Sequence, residues 1–247
     1  MQVLVVGAGA MGRWFGHCLR AHDSSFDIRV FDADPAAAQA AAEALSAGVD
    51  DGGPVDLVCV AVPIPVTAEA IAAHADRARD AVIDLAGVMA DPLDAMADAA
   101  PDLERASFHP LFAPANAPGT VAACVAHPGP TIDRVRAAMA DRGNTVFETD
   151  AATHDDAMAT VQASAHAAVL AFGLAAESVD SRFHTPVSRS LFDALEAVTG
   201  GEARVYADIQ ATFPGADRVA DAAARIADAD RDAFDECYRE ASEALDR

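Results

Sequence analysis

The sequence contains no lysine: all 17 basic residues among its 247 are arginine, against 39 aspartates and glutamates. The formal net charge is therefore −22 at pH 7. A surface of this charge repels nucleic acid and anionic membranes, so neither is expected as a partner. It also keeps a protein soluble where salt screens charges within a few ångströms. The composition is typical of an extreme halophile's cytoplasmic protein, or of a high-GC genome that has replaced lysine with arginine.

Cysteine is scarce and long apolar runs are missing. The four cysteines form neither a C-x-x-C pair nor the spacing of a disulfide framework, so we expect buried free thiols and no metal site. No run of eighteen or more apolar residues occurs, and the amino terminus lacks the pattern of a signal peptide. The sequence therefore predicts no membrane-spanning helix and a cytoplasmic location.

The first twelve residues carry the clearest motif. An apolar strand, Gln2–Val6, is followed at once by G-x-G-x-x-G and then by a helix, which is the order that a dinucleotide site needs. The first glycine permits the tight turn, the second lets the backbone approach a pyrophosphate, and the third allows close packing of helix on strand. The helix N-terminus offers free N–H groups to the phosphates. The residues of this loop are Gly7, Ala8, Gly9, Ala10, Met11 and Gly12.

An acidic residue follows the second predicted strand. The strand Asp27–Phe31 ends at Asp32, twenty residues after Gly12. A carboxylate at this place accepts hydrogen bonds from the ribose hydroxyls of NAD and disfavours the 2′-phosphate of NADP. The alternative is that Asp32 only belongs to the start of the next helix, with Asp34 before Pro35. The sequence predicts an NAD site, with NADP less favoured.

Strands and helices alternate up to about residue 150. This alternation predicts an α/β fold, with a Rossmann-type doubly wound parallel sheet in residues 1–150. Ligands of such sheets bind beyond the carboxyl ends of the strands, where the glycine loop, Asp32, Pro63, Asp84 and His109 are expected. The predicted strands after the second are Val55–Val62, Ala81–Asp84, Arg105–Phe108, Thr120–Ala126 and Asn144–Phe147, with helices at Pro35–Leu45, Thr67–Arg79, Asp91–Ala99 and Ile132–Arg142 and a loop at Gly48–Pro54.

Beyond Asp150 the sequence predicts only helices. Residues 151–247 are therefore expected to form a smaller all-helical domain that binds substrate and dimerises. Several of its helices are too apolar to stand alone, which favours a homodimer. The predicted helices are Thr153–Val179, Pro186–Val198, Ala203–Thr212 and Asp217–Leu245.

Three histidines are candidates for chemistry. His109 follows a strand on the cofactor side, where an imidazole could take the proton from a substrate hydroxyl as hydride leaves the same carbon for NAD. The alternative is a loop histidine that only bonds to backbone. His154 and Asp155 begin a helix after Thr153, where a solvated helix start is the alternative. His166 lies in an apolar stretch, where a core or interface histidine is the alternative.

With these pieces placed, the chain resembles the prephenate/arogenate dehydrogenase family. The resemblance rests on motifs in the same order: Val6–Gly12; Ala61-Val62-Pro63; His109-Pro110-Leu111-Phe112, similar to H-P-M-F; Thr153-His154-Asp155 with Val161–His166, similar to H-D and V-Q-x-x-x-H; and Tyr206-Ala207-Asp208-Ile209, similar to L-Y-A-D-I.

The resemblance implies NAD-dependent oxidative decarboxylation of prephenate to 4-hydroxyphenylpyruvate, or of arogenate to tyrosine. Hydride would leave the ring carbon that bears the hydroxyl, His109 would hold and deprotonate this hydroxyl, and loss of carbon dioxide would aromatise the ring. His166 would lie near the substrate across the domain cleft, with His154 as a further substrate contact. Val62 and Pro63 would join the cofactor site.

The chain departs from the family pattern at two places. The D-x-x-S-x-K segment is Asp84-Leu85-Ala86-Gly87-Val88-Met89, so Gly87 lies where the family has serine. The family's substrate-binding arginine falls near Ala197. A dianionic substrate needs cations, and Arg182, Arg189 or a residue of a partner chain are the candidates.

Two other functions stay open at this point. One is a reductase of the imine or 3-hydroxyacid kind, although those families usually place a lysine or aspartate in the second-domain helix. The other is a nucleotide-binding protein without turnover.

Overall fold

The computed structural model describes residues 1–244, and these form two compact units. The first unit is Met1–Asp156 and the second begins at Ala157. The boundary predicted near residue 150 precedes the observed one because the first turn of the next helix, with His154 and Asp155, is hydrogen-bonded within the first unit.

One eight-stranded sheet, in the order β3-β2-β1-β4-β5-β6-β7-β8, forms the centre of the first unit. Its strands are β1 Gln2–Val6, β2 Asp27–Phe31, β3 Gly48–Val49, β4 Val55–Val60, β5 Ala78–Asp84, β6 Glu104–Pro110, β7 Thr120–His127 and β8 Thr145–Glu148. The α-helices between them are α1 Ala10–His22, α2 Pro35–Leu45, α3 Thr67–His74, α4 Ala90–Ala99 and α5 Pro130–Asp141.

The predicted fold class is confirmed, with one change in strand direction. Strands β1 to β6 are parallel, so their carboxyl ends meet at one edge of the sheet. β7 runs antiparallel to β6, so the sheet is mostly parallel and the predicted parallel arrangement does not extend to this pair. The connection of residues 111–119 is too short for a crossover, which takes a dozen residues or more. The two-residue strand β3 lies in a segment predicted as loop.

Helices cover both faces of the sheet. Val3 and Val5 of β1 lie in one apolar cluster with α1 and α5, whereas Leu4 and Val6 lie in another with α3 and α4. Successive side chains of a strand point to opposite faces, and all four are buried. This explains why β1 is a continuous apolar run: a central parallel strand is covered on both sides.

The second unit is helical in the part that the structure describes. The prediction of one helix over Asp217–Leu245 is wrong, because the chain is extended at Ala229 and Asp230. The Asp230 carboxylate accepts a hydrogen bond from the Ala233 N–H at 3.0 Å and so begins a new helix. Leu245 lies outside the described residues. The helical segments are α6 Ala151–Met158, a π-helical stretch Ala159–Ser164, α7 Ala165–Ala175, α8 Pro186–Thr199, α9 Ala203–Thr212, α10 Ala216–Asp228 and α11 Arg231–Glu243.

The helical run Ala151–Ala175 is long and apolar enough to cross a membrane by length and composition, and only 17% of its most apolar window is buried. Its first turn carries His154 and Asp155, whose side chains are hydrogen-bonded within the first unit. This end of the run is therefore engaged with protein. The expectation of no membrane-spanning helix stays a prediction.

Candidate active site

The glycine loop joins β1 to α1, and each of its glycines has a different surrounding. Gly7 has φ +109°, and a Cβ there would overlap the Ala61 carbonyl. A Cβ on Gly12 would overlap the Gly7 carbonyl oxygen, so α1 packs directly on the loop. A Cβ on Gly9 would meet no atom within 4 Å. Gly9 therefore borders open space, into which a phosphate group can approach the backbone.

Asp32 lies against this loop. Its Oδ2 accepts a hydrogen bond from the Ala8 N–H at 2.8 Å, and its Oδ1 accepts one from the Asp34 N–H at 2.9 Å. The carboxylate is thus fixed one residue past β2, at the carboxyl edge of the sheet. Asp34 lies beside it, so two acidic residues follow β2 within three positions.

The remaining cofactor candidates adjoin the loop. Ala10 and Met11 lie in the first turn of α1, whose N-cap residue, Gly9, has no side chain to cap the first amides. A Cβ on Gly7 would lie 3.2 Å from Val62 Cγ1, which places Val62 at the loop. The Pro63 carbonyl oxygen accepts a hydrogen bond from Thr67 Oγ1 at 3.1 Å and closes the turn after β4. The open space beside Gly9, the N-terminus of α1 and the fixed Asp32 carboxylate together fit a dinucleotide.

Replacing Gly9 with alanine is expected to weaken NAD binding about tenfold or more without unfolding the protein. The added methyl group meets nothing in the folded chain but occupies the approach of the pyrophosphate. NADH fluorescence titration measures the dissociation constant, and the melting temperature reports the fold. Gly48→Ala, which also adds a Cβ to open surface on β3, is the control. Unchanged affinity in Gly9→Ala would place the dinucleotide elsewhere.

The second part of the site is a row of three side chains. His109 Nδ1 lies 2.9 Å from His154 Nε2, and His154 Nδ1 lies 2.7 Å from Asp155 Oδ1. The Asp155 carboxylate also accepts hydrogen bonds from the Met89 N–H at 3.0 Å and the Ala90 N–H at 3.1 Å, at the N-terminus of α4. Both histidines are buried. We call His109, His154 and Asp155 the His–His–Asp row.

Burial dominates the electrostatics of this row. It lowers the pKa of His109 to about 3, with His154 adding to the shift and the Asp155 carboxylate opposing it. Burial opposes ionisation of Asp155, but hydrogen bonds from His154 and from the amides of Met89 and Ala90 outweigh it and lower the pKa of this carboxyl. At neutral pH the row therefore consists of an ionised carboxylate at one end and a neutral His109 at the other.

The Nε2 atom of His109 faces the loops after β4 and β5. A Cβ on Gly87 would lie 3.5 Å from this atom and 3.4 Å from Ile64 Cδ1. Gly87 therefore lies directly beside His109 Nε2. The sequence predicts Gly87 and His109 as site residues, and their roles stay proposals.

Asp84 is a buried acid on the same face of the sheet. It ends β5, is fully buried, and burial raises its pKa to about 8. Its Oδ1 accepts a hydrogen bond from the Ala86 N–H at 2.7 Å, and the buried Ser107 side chain on β6 also lowers the pKa of this carboxyl, though less than burial raises it. The electrostatic effect of the Asp155 carboxylate also reaches it. Asp84 thus keeps its proton at neutral pH and supports the segment that carries Gly87.

The other predicted substrate residues lie in the helical unit. His166 packs edge-on against Tyr206 with ring centroids 4.8 Å apart, and burial lowers its pKa. Its Nδ1 is buried and has no hydrogen-bond partner in the described part of the chain. Arg182 is exposed and paired with Asp180 at 2.9 Å, and Arg189 is on α8. The roles of these three residues stay predictions.

Two residues of the site were not assigned from sequence. The sequence places Asp155 at a helix start and Asp84 at the end of a predicted strand, without a role for either. The signal for Asp155 was its position directly after a candidate histidine, since a carboxylate commonly orients an imidazole. The signal for Asp84 was its place at the carboxyl end of a predicted strand, but its complete burial is visible only in the fold.

Comparison with known proteins identifies relatives of the chain and of its fold. No protein-family model matches the chain. A curated relative, a 4-amino-4-deoxyprephenate dehydrogenase of Streptomyces pristinaespiralis, is 35% identical over 232 residues, covering 87% of this chain and 78% of the relative. The structure of Aquifex aeolicus prephenate dehydrogenase with hydroxyphenyl propionate and NAD⁺ has a TM-score of 0.72 at 17% identity, covering 99% of this chain and 93% of that one. Synechocystis arogenate dehydrogenase has a TM-score of 0.61 at 14% identity, covering 100% and 99%.

The glycine loop, the fixed carboxylate of Asp32 and the buried histidine at the carboxyl edge of the sheet define an NAD-dependent oxidoreductase, as the sequence predicted. Within that class, the chain belongs to the prephenate/arogenate dehydrogenase family. The family predicted from the sequence is therefore confirmed.

Proposed function

We propose that the chain oxidises and decarboxylates a prephenate-type cyclohexadiene with NAD, and that His109 is the base. The observation that carries this proposal is the placement of His109, whose Nδ1 is bonded to His154 while Nε2 faces Gly87. The cofactor-binding residues that we propose are Gly7, Gly9, Ala10, Met11, Gly12, Asp32, Val62 and Pro63.

The role of His109 follows from the proton balance. Bound NAD supplies the acceptor for the hydride that leaves the ring carbon. His109 Nε2 takes the proton of the substituent on that carbon, and loss of carbon dioxide then leaves an aromatic anion. His109 returns the proton to this anion, so the overall reaction releases none. The histidine therefore has to gain and lose a proton in every turnover.

The substrate's carboxylates need positive charge, and the chain has only arginine and histidine to supply it. We propose Arg182 and Arg189 as the cations, and His166 and His154 as residues near the substrate. Substitution of both arginines by alanine is expected to raise KM strongly, and an unchanged KM would remove them from the site.

The ring substituent is either a hydroxyl, as in prephenate and arogenate, or an amine. The 35% identical relative is named for the 4-amino analogue of prephenate, which makes this analogue the second candidate. Both groups carry a hydrogen that an unprotonated imidazole nitrogen can accept. His109 can therefore serve either substrate in the same position.

We also propose a homodimer formed through the helical unit. Large apolar side chains are exposed there, among them Leu174 at 91%, Phe183 at 75% and Val187 at 73%. Exposed apolar surface on this scale marks an interaction site. We propose a second copy of the chain as the partner, since most soluble oligomers are homo-oligomers. Light scattering on the purified protein is expected to give twice the chain mass, and a monomer at micromolar concentration would contradict the dimer.

The acidic surface is proposed as an adaptation to concentrated salt in the cytoplasm. Self-repulsion at −22 destabilises a compact chain, and molar salt shortens the screening length to about 3 Å. The four cysteines are free thiols, which suits a reducing compartment.

The test is NADH formation from NAD with prephenate, arogenate and 4-amino-4-deoxyprephenate, each at about 0.1 M and about 1 M KCl. We expect turnover of at least one substrate, faster at the higher salt concentration. If all three are inert at both concentrations while NAD still binds, the proposed reaction is wrong. Equal activity at both salt concentrations would contradict the proposed adaptation to salt but not the proposed reaction.

A further inference from the structure

The hydrogen bonds of the His–His–Asp row determine which nitrogen of His109 carries its proton. The Asp155 carboxylate can only accept, so the hydrogen in its 2.7 Å contact lies on His154 Nδ1. In neutral His154 the other nitrogen, Nε2, is then an acceptor. The hydrogen in the 2.9 Å contact between the rings therefore lies on His109 Nδ1. His109 Nε2, the atom that faces Gly87, is left unprotonated.

We infer that His154 and Asp155 are positioning residues that act as a proton relay for His109, an assignment that rests on the proposed function. When His109 Nε2 takes the substrate proton, Nδ1 passes its hydrogen to His154 Nε2. His154 becomes an imidazolium beside the Asp155 carboxylate, and His109 is neutral again. The two transfers reverse when the aromatic anion takes its proton back. Only N–H bonds break and form, and no oxidant or reductant is needed.

The relay avoids a lasting positive charge on the buried His109. His109 is buried, and an isolated cation in such a place is strongly disfavoured. One transfer moves the positive charge onto His154, which forms an ion pair with Asp155 at 2.7 Å. A buried charge is tolerated when it is paired and hydrogen-bonded, and the α4 amides of Met89 and Ala90 hold this carboxylate in place.

Among residues 1–244, the other groups whose pKa the Asp155 charge changes are acids. The titratable groups that interact with Asp155 from neighbouring strands are Asp84 on β5 and Cys124 on β7, and both are acids. Each would favour a cation on His154 if it were ionised. The His–His–Asp row is therefore the path by which positive charge moves from His109 toward the Asp155 carboxylate.

The tautomer of His109 can be measured without turnover. In ¹⁵N NMR of the histidine-labelled protein at neutral pH, we expect the shift pattern of an Nδ1–H tautomer, assigned by its loss in His109→Asn. The tautomer that dominates in water carries the hydrogen on Nε2. Finding that form at His109 in the folded protein would overturn the relay, whether or not any tested substrate is turned over.

Kinetics of Asp155→Asn separate a relay from a merely structural carboxylate. We expect kcat to fall about 100-fold, with KM and NAD affinity within about threefold of wild type. Because the negative charge is lost, the acid limb of the pH–kcat profile should move to lower pH. A structural role predicts the opposite movement, since a loosened site would hydrate His109. Asp156→Asn, which removes a neighbouring exposed carboxylate of the same helix, is the matched control and should leave kcat and the profile unchanged.

Two results would overturn the relay. One is a kcat of Asp155→Asn within threefold of wild type. The other is an acid limb that moves to higher pH. His154→Phe gives an independent check, because it removes the acceptor for His109 Nδ1–H. It should shift the His109 tautomer toward Nε2–H, and an unchanged tautomer would contradict the assignment.

Discussion

Replacing His109 with asparagine is expected to lower kcat about 1,000-fold. General-base catalysis by a positioned side chain contributes roughly 10² to 10⁴ in rate. Asparagine can keep a hydrogen bond to His154 and to the substrate, but it cannot take a proton. His109 is on β6, three strands away from β1 and its glycine loop, so NAD affinity should stay within about threefold of wild type.

The measurement is steady-state NADH formation beside a fluorescence titration of NADH binding. His127→Asn is the matched control, because His127 is exposed and pairs with Arg105 at the opposite end of β6. It should retain wild-type activity. An active His109→Asn variant would remove His109 as the base. Loss of NADH binding in that variant would show instead that His109 supports the cofactor site.

The parts of the site that were predictable from sequence are those encoded by neighbouring residues. Gly7, Gly9 and Gly12 sit within one strand–turn–helix unit, and backbone sterics alone demand glycine at two of these positions. Asp32 follows its strand directly, so its place at the carboxyl edge follows from strand direction. His109 was placed by the same reasoning, although it lies within β6 rather than after it.

The His–His–Asp row could not be predicted in the same way. His109 and His154 are 45 residues apart, and their contact depends on how α6 leaves β8. The sequence indicated two interesting histidines and no relation between them. Likewise, the short connection after β6 determined the antiparallel β7, a feature that alternation of strands and helices does not encode. Contacts that depend on chain direction and on packing between distant segments need the fold itself.

Asp84→Asn is expected to become more stable than wild type as the pH rises. Its advantage in the free energy of unfolding should grow by on the order of 3 kcal/mol between about pH 5 and about pH 8. The unfolded chain releases this proton near pH 4, whereas the folded chain keeps it to about pH 8 because burial raises the pKa of Asp84. Between these values the folded state binds one proton more than the unfolded state. Each pH unit in this window therefore costs about 1.4 kcal/mol, and stability falls as pH rises. Asparagine is neutral at every pH and keeps an oxygen for the Ala86 N–H.

Urea unfolding of wild type and Asp84→Asn near pH 5 and near pH 8 checks this expectation, because Asp155 and the other groups titrate in both proteins and cancel in the difference. Asp80→Asn, which removes an exposed carboxylate from the same strand, is the control. Its free energy of unfolding should differ from that of wild type by the same amount at both pH values. If the difference between Asp84→Asn and wild type does not grow with pH, Asp84 is ionised in the folded state. The carboxylate would then be a second negative charge near the His–His–Asp row, and the imidazolium of the relay would be stabilised from two sides.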